Sequence, residues 1–152
     1  MVGHLDLRNL PRQLTGYGRG MAAQPMIISP EPGRDGRVIR GATLVIGDWV
    51  ADEADRYVAP LHVHHADDEA WHVLSGALQF RFENHQRVTA PAGATVLVPA
   101  GTPHTFGNAG PGPSRFIIIL PTRLDELISR LHASNPAEHP EIYRRYESEL
   151  LE

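Results

Sequence analysis

The residues in this sequence with the clearest capacity for chemistry lie between positions 60 and 76, in the stretch PLHVHHADDEAWHVLSG. His62 and His64 are two positions apart, so their imidazoles would project from the same face of a β-strand. Glu69 follows after four intervening residues, which is enough for the chain to turn and begin the next strand. Imidazoles and a carboxylate on converging faces are typical ligands of divalent transition metals. By itself the stretch is compatible with half of a metal site or with a solvated acidic loop, and a second segment is needed to decide between them.

A second segment, GATVLVPAGTPHTFGN at positions 93 to 108, supplies another candidate ligand, His104. Its glycines and prolines mark turns around a strand, and His104 would open a further strand whose side chains can reach the same interior. Together the two segments spell H-x-H-x4-E-x6-G and G-x5-P-x-G-x2-H-x3-N. The alternative is an exposed polar rim plus one turn histidine, but a long pattern with fixed offsets is far more specific than a lone H-x-H.

These two patterns resemble the conserved motifs of the cupin superfamily. The turn positions of the family motifs are matched by Gly76, Gly93, Pro99, Gly101 and Asn108. The resemblance implies an all-β fold, a double-stranded β-helix or jelly-roll barrel, with a divalent metal inside. The metal ligands that it implies are His62, His64, Glu69 and His104. One departure from the family pattern is Arg56, which stands six residues before the first histidine, where a glycine is usual.

The implied set of three imidazoles and one carboxylate suits Fe, Mn, Ni, Cu or Zn as a divalent cofactor. Four protein ligands in an octahedral shell leave two positions for water, O2 or a substrate. In dioxygenases of this family the metal-binding glutamate also accepts a proton from the substrate hydroxyl, so the resemblance makes Glu69 the candidate catalytic base. Because each histidine must be neutral to bind, we expect metal affinity to fall below about pH 6.5.

Composition excludes several other kinds of site. The 152-residue chain suits one domain, and it contains no cysteine, which rules out disulfides, thiolate metal sites and Fe–S clusters. All fourteen basic residues are arginine, which excludes Schiff-base chemistry and a P-loop lysine. A net charge of −4 without a basic run argues against nucleic acid as a partner. With no apolar run that fits a signal peptide or a membrane span, we expect a cytoplasmic protein with no membrane partner.

Turn residues and the spacing of apolar residues define the expected domains. Short β-branched and aromatic runs between Gly and Pro fill residues 37–121, which we expect to form the cupin β-barrel. Residues 1–36 form an N-terminal extension that we expect to include a dimer-contacting strand. The spacing then changes to i, i+3, i+4, i+7, which predicts C-terminal helices over residues 122–152. The first would begin with a Thr122–Asp125 capping box, and the second would run to Leu150.

Strand parity predicts the walls of the interior around the metal. If Glu69 points inward, Trp71 and Val73 point inward as well, although the same side chains are equally suited to the core. The predicted pocket is lined by Trp71, Val73, Phe80 and Phe106. Such an apolar and aromatic pocket favours a small aromatic or enol-type substrate over a phosphorylated sugar. His65 and His72, by contrast, are expected to face away from the metal.

Three functions are compatible with such a site. The first is a metal-dependent oxygenase or dioxygenase acting on a small aromatic or enol-type substrate, as in small quercetin-dioxygenase-like cupins. The second is a non-redox, metal-dependent isomerase or polyketide-type cyclase, in which the metal acts as a Lewis acid. The third is a non-enzymatic ligand-binding cupin. In each case we expect a small-molecule ligand and a homodimer, because cupins commonly dimerise through an N-terminal strand.

Overall fold

The computed structural model describes residues 37–52 and 56–152. The dimer-contacting strand predicted within residues 1–36 lies outside the described residues. In chain order the strands are β1 (Arg37–Arg40), β2 (Leu44–Ala51), β3 (His62–His64), β4 (Glu69–Ser75), β5 (Ala77–Phe82), β6 (Arg87–Pro91), β7 (Thr95–Val98), β8 (His104–Asn108), β9 (Ser114–Pro121) and β10 (Ser148–Leu150). The helices are α1 (Thr122–Ala133) and α2 (His139–Arg145), with a 3-10 turn at Pro136–Glu138 between them.

The strands form two five-stranded antiparallel sheets. One sheet has the order β1-β2-β9-β4-β7, and the other has the order β10-β3-β8-β5-β6. Apart from the consecutive pairs β1–β2 and β5–β6, partners within a sheet are distant along the chain. The pairing of β2 with β9, for example, sets Leu44 opposite Pro121 and Ala51 opposite Ser114. Each sheet therefore combines strands from early and late parts of the chain. The predicted all-β double-stranded β-helix with a short helical tail is confirmed.

Alternating side chains place the core between the two sheets. In β9, Phe116, Ile118 and Leu120 are buried and the residues between them are partly exposed, as expected for a strand with one buried face. Trp71 of one sheet packs edge to face against Phe80 of the other, with ring centroids 5.2 Å apart. Because these aromatic contacts fix the spacing of the sheets, they also position the strand ends that carry the predicted ligands.

The tight turn between β4 and β5 depends on Gly76. Its φ of 73° lies in the left-handed region that favours glycine. A Cβ atom at this position would also lie 2.9 Å from Ser114 Cα, so a side chain would push β9 away. Ser114 in turn accepts a hydrogen bond from the Ala77 amide at 2.9 Å. The glycine therefore ties the end of the ligand-bearing strand β4 to the opposite half of the barrel.

The second helix is shorter than predicted. It ends at Arg145, and Glu147 then adopts a left-handed φ of 50°, which turns the chain out of the helix. Ser148–Leu150 do not continue the helix but pair with β3 as β10. Glu141 and Arg145, four residues apart on α2, form an ion pair with 3.4 Å between Oε1 and Nε.

The predicted capping box of the first helix is wrong. Pro121 is the N-cap residue of α1, and no side-chain hydrogen bond caps the helix. Asp125 instead binds Arg40 of β1, with 2.7 Å between Oδ2 and Nε, so its carboxylate joins the helix to the barrel. Among the described residues, no helix combines the length and the apolar character that crossing a membrane requires.

Candidate metal centre

Four predicted ligands converge at one end of the barrel. His62 and His64 project from β3, and His104 at the start of β8 is the direct cross-strand partner of His62. Glu69, the first residue of β4, reaches the same point from the other sheet. All four side chains are buried, and each offers one ligand atom that lies within 4.8 Å of the other three. The fold thus brings together residues that are up to 42 positions apart in the chain, from 62 to 104.

Two of the histidines have their ring orientation set by backbone carbonyls. His62 Nδ1 lies 2.8 Å from the Pro60 carbonyl oxygen, and His104 Nδ1 lies 2.8 Å from the Thr102 carbonyl oxygen. A carbonyl oxygen only accepts hydrogen bonds, so each Nδ1 carries the hydrogen and donates. With Nδ1 occupied in this way, Nε2 is the nitrogen of each ring that can bind a metal, which is the arrangement found in metal-binding histidines.

The third histidine is oriented by the C-terminal tail. His64 Nδ1 lies 2.8 Å from the hydroxyl of Ser148 in β10. The same hydroxyl donates to the Tyr146 carbonyl oxygen at 3.0 Å, so it must accept the hydrogen of Nδ1. Ser148 consequently sets the tautomer of His64 and directs its Nε2 lone pair towards the other ligands.

The position of Glu69 supports a cation between these side chains. Its Oε2 lies 3.0 Å from His104 Nε2 and 3.6 Å from His64 Nε2. A carboxylate oxygen and an imidazole lone pair repel each other at such distances unless a proton or a metal ion lies between them. Because the remaining ring nitrogens already have acceptors, three imidazole lone pairs and one carboxylate face a common centre. This donor set fits a divalent transition metal.

Burial favours the neutral ring at two of the histidine ligands, which is the state that a metal requires. Desolvation lowers the pKa of His62, and it lowers the pKa of His64 to about 4. Desolvation alone would raise the pKa of Glu69, but the hydrogen bond with His104 and the electrostatic influence of the surrounding histidines bring that pKa below its ordinary value. At neutral pH, neutral rings at His62 and His64 and an ionised Glu69 are therefore favoured in the metal-free protein.

A cavity of about 520 Å³ opens beside these ligands. His62, His64 and Glu69 line it, so a molecule in the cavity has direct access to the metal centre. The apolar lining includes Trp49, Val50, Ala51, Val58, Ala59, Phe106, Ile118, Leu124, Leu127, Ile128 and Leu131. The exposed side chains Asp52 and Arg56 also line it, which places charged groups at its open end. The volume lies within the range of small-molecule sites.

The four predicted wall residues are divided between the cavity and the core. Phe106 lines the cavity, whereas the cavity lining does not include Trp71, Val73 or Phe80, which are fully buried between the sheets. Strand parity correctly predicts that these side chains point inward. It does not give their depth along the barrel, and within β4 the cavity lining includes Glu69, at the first position, but not Trp71 or Val73.

The two C-terminal helices form much of the cavity wall, in addition to the motif residues. Five residues of α1, together with Tyr143 of α2, line the cavity. The sequence shows these helices as amphipathic, but an apolar stripe has the same spacing whether it packs on a core or encloses a cavity. Desolvation, together with the nearby Glu69 carboxylate, raises the pKa of Tyr143 to about 12, so its hydroxyl keeps its proton at neutral pH.

Two histidines near the motif lie outside the centre, as expected. His65 is exposed and contacts Glu149, with 3.6 Å between Nε2 and Oε2. His72 projects from the other face of β4, where its Nδ1 lies 2.9 Å from the Thr95 hydroxyl. Neither side chain lines the cavity, so both serve as internal controls for substitutions at the metal centre.

We expect Ser148→Ala to lower metal affinity on the order of tenfold, because second-shell substitutions at metal sites typically have effects of this size. Without the hydroxyl, the ring of His64 can rotate or take the tautomer that protonates Nε2. Isothermal titration of the chelator-stripped protein with Zn(II) measures the effect, and Ser75→Ala at the exposed end of β4 is the control. Equal affinities in the Ser148→Ala variant and the wild type would contradict this role for the tail.

Known proteins resemble this chain in the sequence of its barrel and in its fold. Residues 49–120 match the family model described as Cupin domain. A Klebsiella pneumoniae protein with a double-stranded β-helix domain is 25% identical over 62% of this chain and 77% of its own, with a TM-score of 0.50. A Bacillus halodurans protein is 20% identical over 64% and 81% of the two chains, with a TM-score of 0.56. A cupin protein from Bacteroides fragilis is 16% identical over 64% of this chain and 82% of its own, with a TM-score of 0.53. No curated protein matches the sequence significantly.

Proposed function

We propose, from the cupin-domain match over residues 49–120, that the chain is a metal-dependent oxygenase acting on a small apolar substrate with an enol or phenol oxygen. The proposal is supported above all by the meeting of His62, His64, Glu69 and His104 at the wall of a cavity. Their buried lone pairs form a ready-made site for a divalent metal such as Fe, Mn, Ni, Cu or Zn. When bound, a redox-active metal would supply the means of activating a coordinated substrate towards O2.

The cavity supports a substrate with an apolar body. Its aliphatic and aromatic lining would exclude water from that body and hold its oxygen end towards His62, His64 and Glu69. Arg56 lies at the open end, where a solvent-facing polar part of the substrate can reach it. The inner part is thus suited to hydrocarbon or aromatic rings rather than to a phosphorylated sugar.

Glu69 is the candidate base for removing a substrate hydroxyl proton. Its carboxylate is buried and lines the cavity, and its lowered pKa keeps it ionised at neutral pH. A carboxylate within hydrogen-bond reach of a substrate hydroxyl can accept the hydroxyl proton directly, with no water molecule between them. The same group would then hold that proton beside the substrate.

A second candidate function is a non-redox isomerase or cyclase, and one observation favours it. Tyr143, whose pKa is raised to about 12, places a protonated hydroxyl on the wall that also carries Glu69. A carboxylate and a phenol on one cavity form the base and acid that a proton-transfer reaction requires. In this case the metal would serve as a Lewis acid, and turnover would need no oxygen.

Oxygen uptake distinguishes the two functions. We expect protein purified without a histidine tag to bind about one metal per chain, as a single four-ligand centre implies. After stripping and reloading with Fe(II), Mn(II), Ni(II) or Cu(II), it should consume O2 with substrates drawn from flavonols, β-diketones and catechols. The zinc-loaded protein is the redox-inert control. Turnover by the zinc form in the absence of oxygen would favour the isomerase or cyclase, and no uptake with any of the four metals would contradict the oxygenase.

A further inference from the structure

One tyrosine of the tail faces the cavity without a hydrogen-bond partner. Tyr143 lines the cavity, and the centroid of its ring lies 5.7 Å from that of His62. Only 4% of the residue is exposed, yet its hydroxyl bonds to nothing within residues 37–52 and 56–152. A phenol hydroxyl that has no protein partner and faces a cavity can donate a hydrogen bond to an acceptor atom of a bound molecule.

Other unpaired donors near the cavity are out of reach of a ligand. Trp49 Nε1, Trp71 Nε1 and the Tyr57 hydroxyl have no hydrogen-bond partner, and each atom is completely enclosed by protein. The Tyr143 hydroxyl is not one of these enclosed atoms, so a molecule in the cavity can contact it. Among the unpaired donors of the described residues, it is therefore the one placed to meet a ligand near the metal centre.

The tail holds this hydroxyl in a defined place relative to the ligands. The turn that ends α2 is closed by the Tyr146 amide, which donates to the Tyr143 carbonyl oxygen at 3.0 Å. Ser148, which follows in β10, lies opposite His64 in the sheet and binds its ring. A short, hydrogen-bonded connection thus joins Tyr143 to the ligand-bearing strand β3, and a group held in this way is organised before the ligand arrives.

We propose that Tyr143 is a substrate-binding residue whose hydroxyl donates a hydrogen bond to an oxygen atom of the ligand beside the metal. The inference rests on the proposed function and narrows its substrate class. It requires two oxygen functions at one end of an apolar molecule, one for the metal and one for Tyr143, as in enol-ketones and catechols. The tyrosine lies outside residues 49–120, so this specificity comes from the tail and not from the matched domain.

Binding of 4-nitrocatechol to the zinc-loaded protein tests the proposal. Zinc is redox-inert, and the probe changes its visible absorption as its hydroxyls ionise and coordinate. We expect Tyr143→Phe to weaken probe binding about tenfold, the effect of losing one hydrogen bond to a charged oxygen. We also expect the absorption maximum of the bound probe to shift, because a donor to its oxygen has been removed. Zinc stoichiometry should remain at the wild-type value.

Tyr146→Phe is the matched control, because Tyr146 belongs to the same tail but does not line the cavity. It should bind the probe as the wild type does. Equal affinity and an unchanged spectrum in Tyr143→Phe would overturn the role of Tyr143 and leave the metal proposal standing. Loss of zinc or of folded structure in that variant would make the tyrosine structural and also overturn it. If zinc-loaded wild-type protein fails to bind the probe, both this inference and the proposed function are contradicted.

Discussion

Replacing His104 with alanine is expected to abolish tight metal binding, with a loss of affinity greater than about 100-fold, since even second-shell substitutions at metal sites lower affinity by 10–100-fold. His104 lies opposite His62 in the sheet, and its Nε2 is 3.0 Å from Glu69 Oε2. Its removal takes away one of four ligands and leaves the buried carboxylate without its nearest partner. Titration of the chelator-stripped protein with Mn(II) or Zn(II), together with the metal content after purification, measures the loss.

His72→Ala is the matched control for this substitution. His72 is only partly buried, its ring contacts Thr95, and it does not line the cavity. It should therefore bind one metal with wild-type affinity, and circular dichroism should show that both variants retain the β-fold. Wild-type stoichiometry and affinity in the His104→Ala variant would show that the metal is held elsewhere, and the proposed centre would then be wrong.

The metal-free protein is expected to lose stability steadily as the pH falls from about 6.5 to 4. The pKa of His64 is about 4 in the folded protein and 6.5 ordinarily, so within this window the unfolded chain binds a proton that the folded state does not. Acid therefore favours unfolding, and the stability present above pH 6.5 is lost progressively towards pH 4. From His64 alone, the free energy of unfolding should fall by about 2 kcal/mol by pH 5 and on the order of 3 kcal/mol by pH 4.

The lowered pKa values of His62 and Glu69 act in the same direction, so the total loss should exceed that from His64. Urea unfolding at a series of pH values in the presence of a chelator measures the slope of the free energy of unfolding against pH. His64→Asn should flatten the slope, whereas His65→Asn, at an exposed neighbouring position, should leave it unchanged. A pH-independent free energy of unfolding between pH 7 and pH 4.5 would contradict the burial of a neutral His64.

These pKa directions also revise the pH dependence expected from the sequence. An ordinary histidine begins to exclude a metal below about pH 6.5, because its ring becomes protonated. Burial lowers the pKa of both His62 and His64, so proton competition at these two rings is shifted to more acidic conditions. Their type and spacing are visible in the sequence, but the desolvation that changes their titration arises only in the packed structure.

Local signals predicted the barrel strands well where alternation and turn residues agreed. The short β-branched and aromatic runs ALQFRF at 77–82 and HTFGN at 104–108, for example, form β5 and β8. The run at 37–50 is divided into β1 and β2 by a turn, in which the Gly41 amide donates to the Leu44 carbonyl oxygen at 2.8 Å. By contrast β6, with the sequence RVTAP, was not predicted, because it is mostly exposed and has little apolar alternation. Its pairing with β5 determines its conformation.

The C-terminal tail shows a stronger influence of tertiary structure. Ile142, Tyr143, Tyr146 and Leu150 follow a helical spacing, yet the helix ends before Leu150. Pairing with the exposed side of β3 satisfies the backbone groups of Ser148–Leu150, and the Ser148 hydroxyl gains a buried partner in His64. Long-range hydrogen bonds of this kind outweigh a weak local preference for helix.

The sequence by itself determined the kind of fold and the chemical types of four ligands, since strand periodicity, turn glycines and ligand spacing are local properties. Only the tertiary structure decided which inward-facing residues reach the cavity, because depth along a barrel depends on how the two sheets are staggered. It also decided that Tyr143 and Ser148 belong to the metal centre. Their contacts with His62 and His64 are made by chain segments about 80 residues apart, and no local pattern encodes such a meeting.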